Sequence, residues 1–271
     1  MQKIVPFLLF FFFLNAARAA RVDTVSTYSP SMQKQIKAVV VTPDNYKTMG
    51  ELPVVYLLHG FGGNYSDWIA KASRFQKAAD QYGLIIVCPD GNNSWYWDSP
   101  VDPSYKYETY VSLELVKWVD GNYRTIRNRS GRAITGLSMG GHGALYLAFR
   151  HQDVFGAAGS MSGGVDIRPF PRYWEMEKRL GSYAQNPALW EQHTVINMLH
   201  LLTPQSLSLI IDCGTEDFFY TVNQNLHEKL QERNIPHDYI TRPGAHNWPY
   251  WNNAVGYQLL FFSRFFNKTG W

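Results

Sequence analysis

The chain has 271 residues, of which 45% are hydrophobic and 15% aromatic, and this composition excludes a disordered protein and allows a substantial buried core. Its 25 basic and 22 acidic residues give a net charge of +3. Removal of the N-terminal segment described in the next paragraph would take away Lys3 and Arg18. The remaining 23 basic and 22 acidic residues would then give a net charge of +1. Because this small charge is not concentrated in a block of lysine and arginine, we expect no nucleic-acid partner.

The first twenty residues have the composition of a secretory signal peptide. Lys3 precedes an apolar run over residues 4–14, and small residues follow up to Ala20. This run is shorter than the roughly 20 residues that span a bilayer, which argues against a membrane anchor. We therefore expect residues 1–20 to be removed and the mature chain to be exported to the periplasm or the extracellular space, without stable membrane insertion. Residues 21–271 are expected to form a single domain.

Candidate strands and helices alternate along the rest of the chain. Residues 22–29 and 35–42 are expected to form an antiparallel edge. Continuous apolar runs at 52–58 and 84–88 are typical of strands buried on both faces of a parallel sheet. The other predicted elements are helices over 67–82, 109–123, 143–150, 222–233 and 252–266, and strands over 132–135, 157–161, 207–212 and 237–241. This alternation predicts an α/β fold with a mainly parallel sheet flanked by helices.

Residues 162–205 interrupt this alternation. They contain no apolar run typical of a buried strand, and aromatic residues and prolines stand there among charged residues. We expect a cap-like insertion folded over the carboxyl ends of the strands, where α/β sheets bind their ligands. The alternative is a surface excursion without any contact to a ligand.

The segment Gly136-Leu137-Ser138-Met139-Gly140 lies between a predicted strand and a predicted helix. In that context G-x-S-x-G is typical of a nucleophile elbow, a sharp turn that holds a serine at the top of a parallel sheet. A Cβ atom at position 136 or 140 would obstruct so tight a turn. The positive end of the helix dipole also favours negative charge on a bound substrate oxygen. The alternative is a glycine-rich turn whose serine only caps the helix.

A nucleophilic serine needs a base that accepts its proton and an acid that orients the base. In folds of this type the chain order is Ser, then Asp or Glu, then His. Asp217 follows the predicted strand 207–212, and His246 follows the last predicted strand, so we predict them as acid and base. Asp212 and Glu216 are the second and third candidates for the acid, because Asp212 still belongs to the strand and Glu216 only flanks Asp217.

An oxyanion hole needs two preorganised N–H donors. We expect one from Met139, directly after the serine, and the other from Phe61 in the glycine-rich turn 59–63, although an ordinary glycine loop is the alternative there. His142 is expected to pack or to form hydrogen bonds at the start of the helix. No spacing of histidine and carboxylate residues calls for a metal, and we expect no cofactor.

These segments together resemble the putative esterase family of α/β-hydrolases. The resemblance rests on five stretches: His59-Gly60-Phe61-Gly62-Gly63, Pro89-Asp90-Gly91-Asn92-Asn93-Ser94-Trp95-Tyr96, residues 136–144, Asp212-Cys213-Gly214-Thr215-Glu216-Asp217, and residues 244–251. The family includes S-formylglutathione hydrolase, short-chain esterases, feruloyl and acetyl esterases and mycolyltransferases. The resemblance covers nearly the whole mature chain. It implies the α/β-hydrolase fold and a serine carboxylesterase with Ser138, Asp217 and His246 as catalytic triad and Phe61 and Met139 as oxyanion donors.

Strand order in such a fold also bears on the two cysteines. Cys88 and Cys213 fall near the ends of predicted strands that would lie well apart in the sheet. We therefore predict two buried free thiols rather than a disulfide.

The expected substrate is a small-molecule or oligosaccharide ester with a short-chain or aromatic acyl group, of which carbohydrate-linked acetyl and feruloyl esters are the leading candidates. Trp95, Trp97 and Trp248 are the candidate substrate-binding residues, because flat aromatic faces suit sugar rings and phenolic acyl groups. Packing under a loop is the alternative for Trp95 and Trp97, and bracing of the His246 loop is the alternative for Trp248.

Three other functions stay open. Export argues against an S-formylglutathione hydrolase-like thioesterase, because that substrate arises inside the cell. Acyl transfer to an alcohol other than water is the second alternative. A non-catalytic carbohydrate-binding protein is the third, although such a protein has no use for an intact triad. The sequence indicates no particular oligomeric state.

Overall fold

The computed structural model describes residues 20–72 and 75–267. The expected signal peptide lies outside these residues, apart from Ala20. Within the described ranges, every helix is too short or too polar to cross a membrane.

The described residues form one eight-stranded sheet. In chain order its strands are β1 Arg21–Ser29, β2 Lys34–Thr42, β3 Val54–Leu58, β4 Ile85–Pro89, β5 Arg132–Gly136, β6 Ala157–Met161, β7 Ser208–Gly214 and β8 Asp238–Arg242. Across the sheet their order is β1-β2-β4-β3-β5-β6-β7-β8. The pairs β1 with β2 and β2 with β4 are antiparallel, and the other neighbours are parallel. This confirms the predicted mainly parallel sheet with an antiparallel edge.

Helices cover both faces of the sheet. They are α1 Asp67–Lys71, α2 Phe75–Tyr82, α3 Tyr107–Thr109, α4 Val116–Asn122, α5 Met139–Arg150, α6 Met176–Leu180, α7 Pro187–Gln192, α8 Tyr220–Glu232 and α9 Trp248–Asn267. A π-helical segment, Tyr110–Leu115, joins α3 to α4. Short 3₁₀ helices occur at Tyr46–Thr48, Arg129–Gly131, Val195–Asn197 and Leu199–Leu201.

Two predicted helices differ from the structure in more than the position of their ends. The prediction of one helix over 67–82 is wrong, because Ala72 has an extended backbone (φ −128°, ψ 110°) and ends α1 there. The predicted helix over 109–123 begins earlier and contains the π-helical segment, which a pattern of apolar spacing does not reveal.

The core has one hydrophobic cluster on each face of the sheet, as the alternation of side chains along a strand requires. Val54, Tyr56 and Leu58 of β3 belong to the cluster that contains side chains of α4, α5 and α8. Val55 and Leu57 belong to the opposite cluster, with side chains of α1, α2 and α9. The sheet is therefore the middle of three layers, and its strand ends are left free to carry polar loops.

The two cysteines are free and buried, as predicted. Cys88 lies in β4 and Cys213 in β7, and β3, β5 and β6 lie between those strands. Burial raises the pKa of both thiols. Neither thiol therefore offers a reactive thiolate at neutral pH.

Candidate active site

Ser138 occupies a strained turn between β5 and α5. Its backbone has φ 56° and ψ −118°, a conformation that residues with a Cβ atom rarely adopt. A Cβ atom at Gly136 would lie 2.6 Å from the carbonyl oxygen of Gly140, and one at Gly140 would lie 2.6 Å from the carbonyl oxygen of His59. Both glycines are therefore needed for the strand, turn and helix to meet this closely, as the sequence predicts.

The structure brings Ser138, His246 and Asp217 together. Nε2 of His246 lies 2.9 Å from Oγ of Ser138, and Nδ1 of His246 lies 2.9 and 3.0 Å from the two carboxylate oxygens of Asp217. The Asp217 side chain is fully buried, and one of its oxygens also accepts from the backbone N–H of Phe219 at 2.8 Å. Because an ionised carboxylate only accepts hydrogen bonds, Nδ1 carries the imidazole proton and Nε2 presents its lone pair to the serine hydroxyl.

The other two candidate acids lie elsewhere. Asp212 is buried in β7, where its carboxylate accepts hydrogen bonds from Arg242 and from the Tyr250 hydroxyl. Glu216 is exposed to solvent. Of the three acidic residues ranked from the sequence, Asp217 is the one that contacts His246.

Backbone from two turns meets beside Ser138. Met139 follows it as the first residue of α5, and Phe61 belongs to the turn 59–63. A Cβ atom at Gly60 would lie 3.4 Å from Cβ of Ser138 and 2.6 Å from Cδ1 of Leu137, so this turn packs directly on the elbow. The two expected oxyanion donors are thus on adjacent segments of backbone.

The glycine-rich turn is held by the loop that follows β4. Asn93 accepts a hydrogen bond from the backbone N–H of Gly62 at 2.8 Å. The hydroxyl of Tyr96 donates to the carbonyl oxygen of His59 at 3.0 Å, and Nε2 of His59 accepts from the N–H of Gly91 at 2.7 Å. These bonds fix the backbone of the turn before any ligand arrives, which is the preorganisation that an oxyanion hole needs.

Ser138 and His246 open into a cleft of about 330 Å³. The glycine-rich turn forms one part of its wall. The polar pair Asp67 and Lys71 also lines the cleft, with Nζ of Lys71 3.0 Å from the Asp67 carboxylate. Aromatic side chains form most of the remaining wall: Phe61, Trp174, Phe218, Trp248 and Trp251.

Trp95 and Trp97 do not line this cleft, which corrects the expectation that they bind substrate. Both side chains are buried, and their rings stack at 5.5 Å. Nε1 of Trp97 donates to Nε2 of His142, and Nε1 of Trp95 donates to the carbonyl oxygen of Trp174. Trp248 does face the cleft, with its ring edge-on to Trp68 at 5.2 Å.

His142 packs in the core and does not contact Ser138 through its ring. Its Nδ1 lies 2.9 Å from the carbonyl oxygen of Gly164, and its Nε2 accepts from Trp97 at 2.9 Å. Burial lowers the pKa of His142 to about 3, so the ring is neutral at physiological pH. The sequence-based expectation of a packing and hydrogen-bonding role agrees with this environment.

The sequence analysis missed Phe218, and it placed the aromatic residues of the segment 162–205 over the strand ends without singling out Trp174. The ring of Phe218 is 53% exposed although its centroid lies 4.2 Å from that of His246. Its ring also stacks on Trp174 at 5.7 Å with an interplanar angle of 16°, and Phe219 lies edge-on to it at 4.6 Å. Phe218 directly follows Asp217, and that position was a usable signal. Trp174 lies within residues 162–205, where no motif marks one aromatic residue above the others.

A metal site is not evident in residues 20–72 and 75–267, where no three His, Cys, Asp or Glu side chains are grouped so as to hold an ion.

Comparison with known proteins places these observations in a family. The model of the family described as Putative esterase matches residues 29–262. An esterase of Mycobacterium tuberculosis (strain ATCC 25618 / H37Rv) is 29% identical over 237 residues, which cover 76% of this chain and 51% of the relative. The chain thus spans about half the length of that relative.

Two further proteins match over most of their length. The acetyl esterase of Caldicellulosiruptor saccharolyticus is 26% identical over 227 residues, 79% of this chain and 82% of the relative. The solved structure of a ferulic acid esterase superposes with a TM-score of 0.79 and 27% identity, and covers 92% of this chain and 99% of its own.

Proposed function

The chain belongs to the Putative esterase family and has the α/β-hydrolase fold, and from this premise we propose that it is a serine carboxylesterase. Ser138 is the nucleophile, His246 the general base and Asp217 the acid that orients it. The observation that carries the proposal is the pair of 2.9 Å contacts from His246, one to the serine oxygen and one to the buried carboxylate. A serine that only caps a helix has no need of either contact.

The first half-reaction forms an acyl-enzyme. Nε2 of His246 takes the proton of Ser138 while Oγ attacks the ester carbonyl carbon. The N–H groups of Phe61 and Met139 donate to the oxyanion that develops on the carbonyl oxygen. The imidazolium, stabilised by Asp217, then gives its proton to the departing alcohol oxygen as the carbon–oxygen bond breaks.

The second half-reaction releases the acid. His246 removes a proton from a water molecule, which attacks the acyl carbon through a second oxyanion. Ser138 leaves and takes the proton back from His246, so the residues return to their starting state. This cycle needs neither a metal nor a cofactor.

We propose short-chain or aromatic acyl esters as substrates, with acetyl or feruloyl groups carried by carbohydrate. The aromatic wall formed by Trp174, Phe218 and Trp248 supports planar groups and sugar rings. Asp67 and Lys71 in the cleft lining suit a polar alcohol better than a long lipid chain. The relatives named as an acetyl esterase and a ferulic acid esterase point the same way.

Two features of chain organisation belong to the same proposal. Residues 162–205 act as a cap on the single catalytic domain, because their residue Trp174 contributes to the cleft wall. Residues 1–20 direct export and are then removed. N-terminal sequencing of protein recovered from the medium or the periplasm tests export, and a mature chain that still begins with residue 1 would contradict it.

A substrate panel tests the activity. The purified mature protein is assayed with p-nitrophenyl acetate, methyl ferulate, acetylated xylan and S-formylglutathione, with Ser138→Ala as the matched control. We expect turnover of the oxygen esters by the wild type alone. Products analysed with and without an added sugar acceptor separate hydrolysis from acyl transfer. Equal rates for wild type and Ser138→Ala on every ester would refute the proposal.

A further inference from the structure

A second buried carboxylate lies near the triad but does not belong to it. Asp212 has a fully buried side chain at the carboxyl end of β7. Its Oδ1 accepts from the hydroxyl of Tyr250 at 2.5 Å, and its Oδ2 accepts from Nη2 of Arg242 at 2.8 Å. Burial raises the pKa of Asp212, and these two donors act in the opposite direction. The carboxylate thus depends on Arg242 and Tyr250 for the hydrogen bonds that water would otherwise supply.

The two partners of Asp212 bracket the catalytic histidine. Arg242 is the last residue of β8, four positions before His246, and Tyr250 lies in the first turn of α9, four positions after it. The segment 243–249, which carries His246, is therefore tied at both ends to one carboxylate on a neighbouring strand. The guanidinium of Arg242 also lies over the Tyr250 ring, 5.2 Å from its centroid, so the two ends contact each other as well.

Backbone contacts join this segment to the loop that carries Asp217. The N–H of Thr215 donates to the carbonyl oxygen of Arg242, and the N–H of Glu216 donates to that of Gly244, both at 2.9 Å. A Cβ atom at Gly214 would lie 2.1 Å from the carbonyl oxygen of Gly244, so the two loops are in direct backbone contact. These contacts couple the position of Arg242 to the loop that carries Asp217.

We propose that Asp212 is a positioning residue, which acts through Arg242 and Tyr250 to keep His246 within hydrogen-bonding distance of both Ser138 and Asp217. This inference rests on the catalytic roles proposed above. Small misplacement of a general base has a large effect on the rate of chemistry, because the reacting atoms must be held close and aligned. Loosening the segment 243–249 therefore lowers kcat, whereas KM changes little since Asp212 lies outside the cleft.

Buried ion pairs also stabilise folds without any role in catalysis, so the test needs a matched pair elsewhere. Asp120 and Arg132 provide one: Nη2 of Arg132 lies 2.5 Å from the Asp120 carboxylate, and both side chains are largely buried. Arg132 is the first residue of β5, at the end of the strand opposite to Ser138. Asp120→Asn is expected to lower the melting temperature and to leave kcat unchanged.

The variants Asp212→Asn, Tyr250→Phe and Asp120→Asn are compared with wild type by thermal unfolding and by kcat and KM for p-nitrophenyl acetate, at a temperature where all are folded. A proton NMR spectrum of each free enzyme follows the downfield resonance of the imidazole N–H shared by His246 and Asp217. We expect Asp212→Asn to lower kcat about 10- to 100-fold, with a small change in KM, and to broaden or abolish the resonance. Tyr250→Phe is expected to act in the same direction.

A wild-type kcat and an unchanged resonance in Asp212→Asn would overturn the proposal and leave Asp212 a stabilising residue only. If Asp212→Asn does not fold, Tyr250→Phe decides the question by the same two measurements. The resonance is recorded without substrate. Absence of ester turnover in the wild type would therefore refute the proposed function, while the spectra of the variants would still test the positioning role.

Discussion

The indole N–H of Trp97 donates a hydrogen bond to Nε2 of His142 across 2.9 Å, and both side chains are fully buried in the core. An acceptor at Nε2 leaves the proton of the neutral ring on Nδ1, where it is donated to the carbonyl oxygen of Gly164. Protonation of His142 would break the bond to Trp97 and place a charge in the core. This relationship gives the fold a predictable dependence on pH.

We predict that His142 destabilises the fold as the pH falls from about 6.5 towards 3. Its pKa is lowered to about 3 in the folded state from an ordinary value of 6.5. Between these values the unfolded chain binds a proton that the folded chain does not. The full contribution of neutral His142 to the stability of the fold is therefore present above pH 6.5 and declines below it. The free energy of unfolding should fall by up to about 1.4 kcal/mol per pH unit from this residue.

Urea unfolding at pH 7, 5.5 and 4.5 measures this contribution. His142→Asn removes the titrating ring, so its unfolding free energy should decline less steeply with falling pH than that of wild type. His200→Asn, at an exposed histidine of the segment 162–205, is the control and should keep the wild-type slope. Parallel slopes for wild type and His142→Asn would contradict the prediction, because they would show that the pKa of this ring is the same in the folded and unfolded chain.

Ser138→Ala should abolish nearly all esterase activity and leave the fold intact. The hydroxyl supplies the attacking oxygen, and its one contact with the triad is the 2.9 Å bond to His246. The substitution also keeps a Cβ atom at the strained elbow position and so introduces no new steric demand. The measurements are turnover of p-nitrophenyl acetate and the melting temperature. Wild-type turnover in a folded variant would show that another residue is the nucleophile.

Asp217→Asn should lower kcat on the order of 10⁴-fold, the loss seen in the comparable protease triad. An amide N–H facing Nδ1 of His246 would favour the tautomer with its proton on Nε2, which cannot accept from Ser138. Glu216→Gln, at the exposed neighbouring residue, is the matched control and should retain wild-type kcat. A larger loss in Asp212→Asn than in Asp217→Asn would contradict the assignment of Asp217 as the acid.

The sequence was sufficient for the parts of the site that depend on strand ends. Ser138, Asp217 and His246 each follow a strand of a parallel sheet, and the carboxyl ends of such strands meet at one edge, so separate motifs could be brought together without coordinates. The glycines at 136 and 140 could be interpreted in the same way, because a turn between strand and helix leaves no room for a side chain there.

The orientation of aromatic side chains in loops could not be predicted in this way. Trp95 and Tyr96 have left-handed backbone conformations, with φ 56° and 62°, and the loop here buries Trp95 and Trp97 against His142. A periodic pattern of apolar residues does not predict such a turn of the backbone or the direction in which its side chains point. The cleft instead receives Trp174 and Phe218, one from a segment without motifs and one from a position beside the acid. The spacing of apolar residues also does not predict the extended backbone of Ala72, which separates α1 from α2.

Phe218 is therefore the residue at which we expect acyl specificity to be decided. Its exposed ring stacks on Trp174 and lies beside His246, so a planar acyl group bound to Ser138 can rest against it. An aromatic contact of this kind contributes about 0.5 to 1.5 kcal/mol, which corresponds to roughly a 2- to 10-fold change in affinity.

Phe218→Ala should raise KM for methyl ferulate by this factor and leave KM for methyl acetate nearly unchanged. Both esters release methanol, so the comparison isolates the acyl group. Trp97→Phe, which replaces a buried indole outside the cleft with a smaller ring and removes the N–H donated to His142, should alter both substrates to the same extent. If Phe218→Ala also affects both esters equally, Phe218 serves to brace His246, and acyl selection must be assigned to another part of the cleft wall.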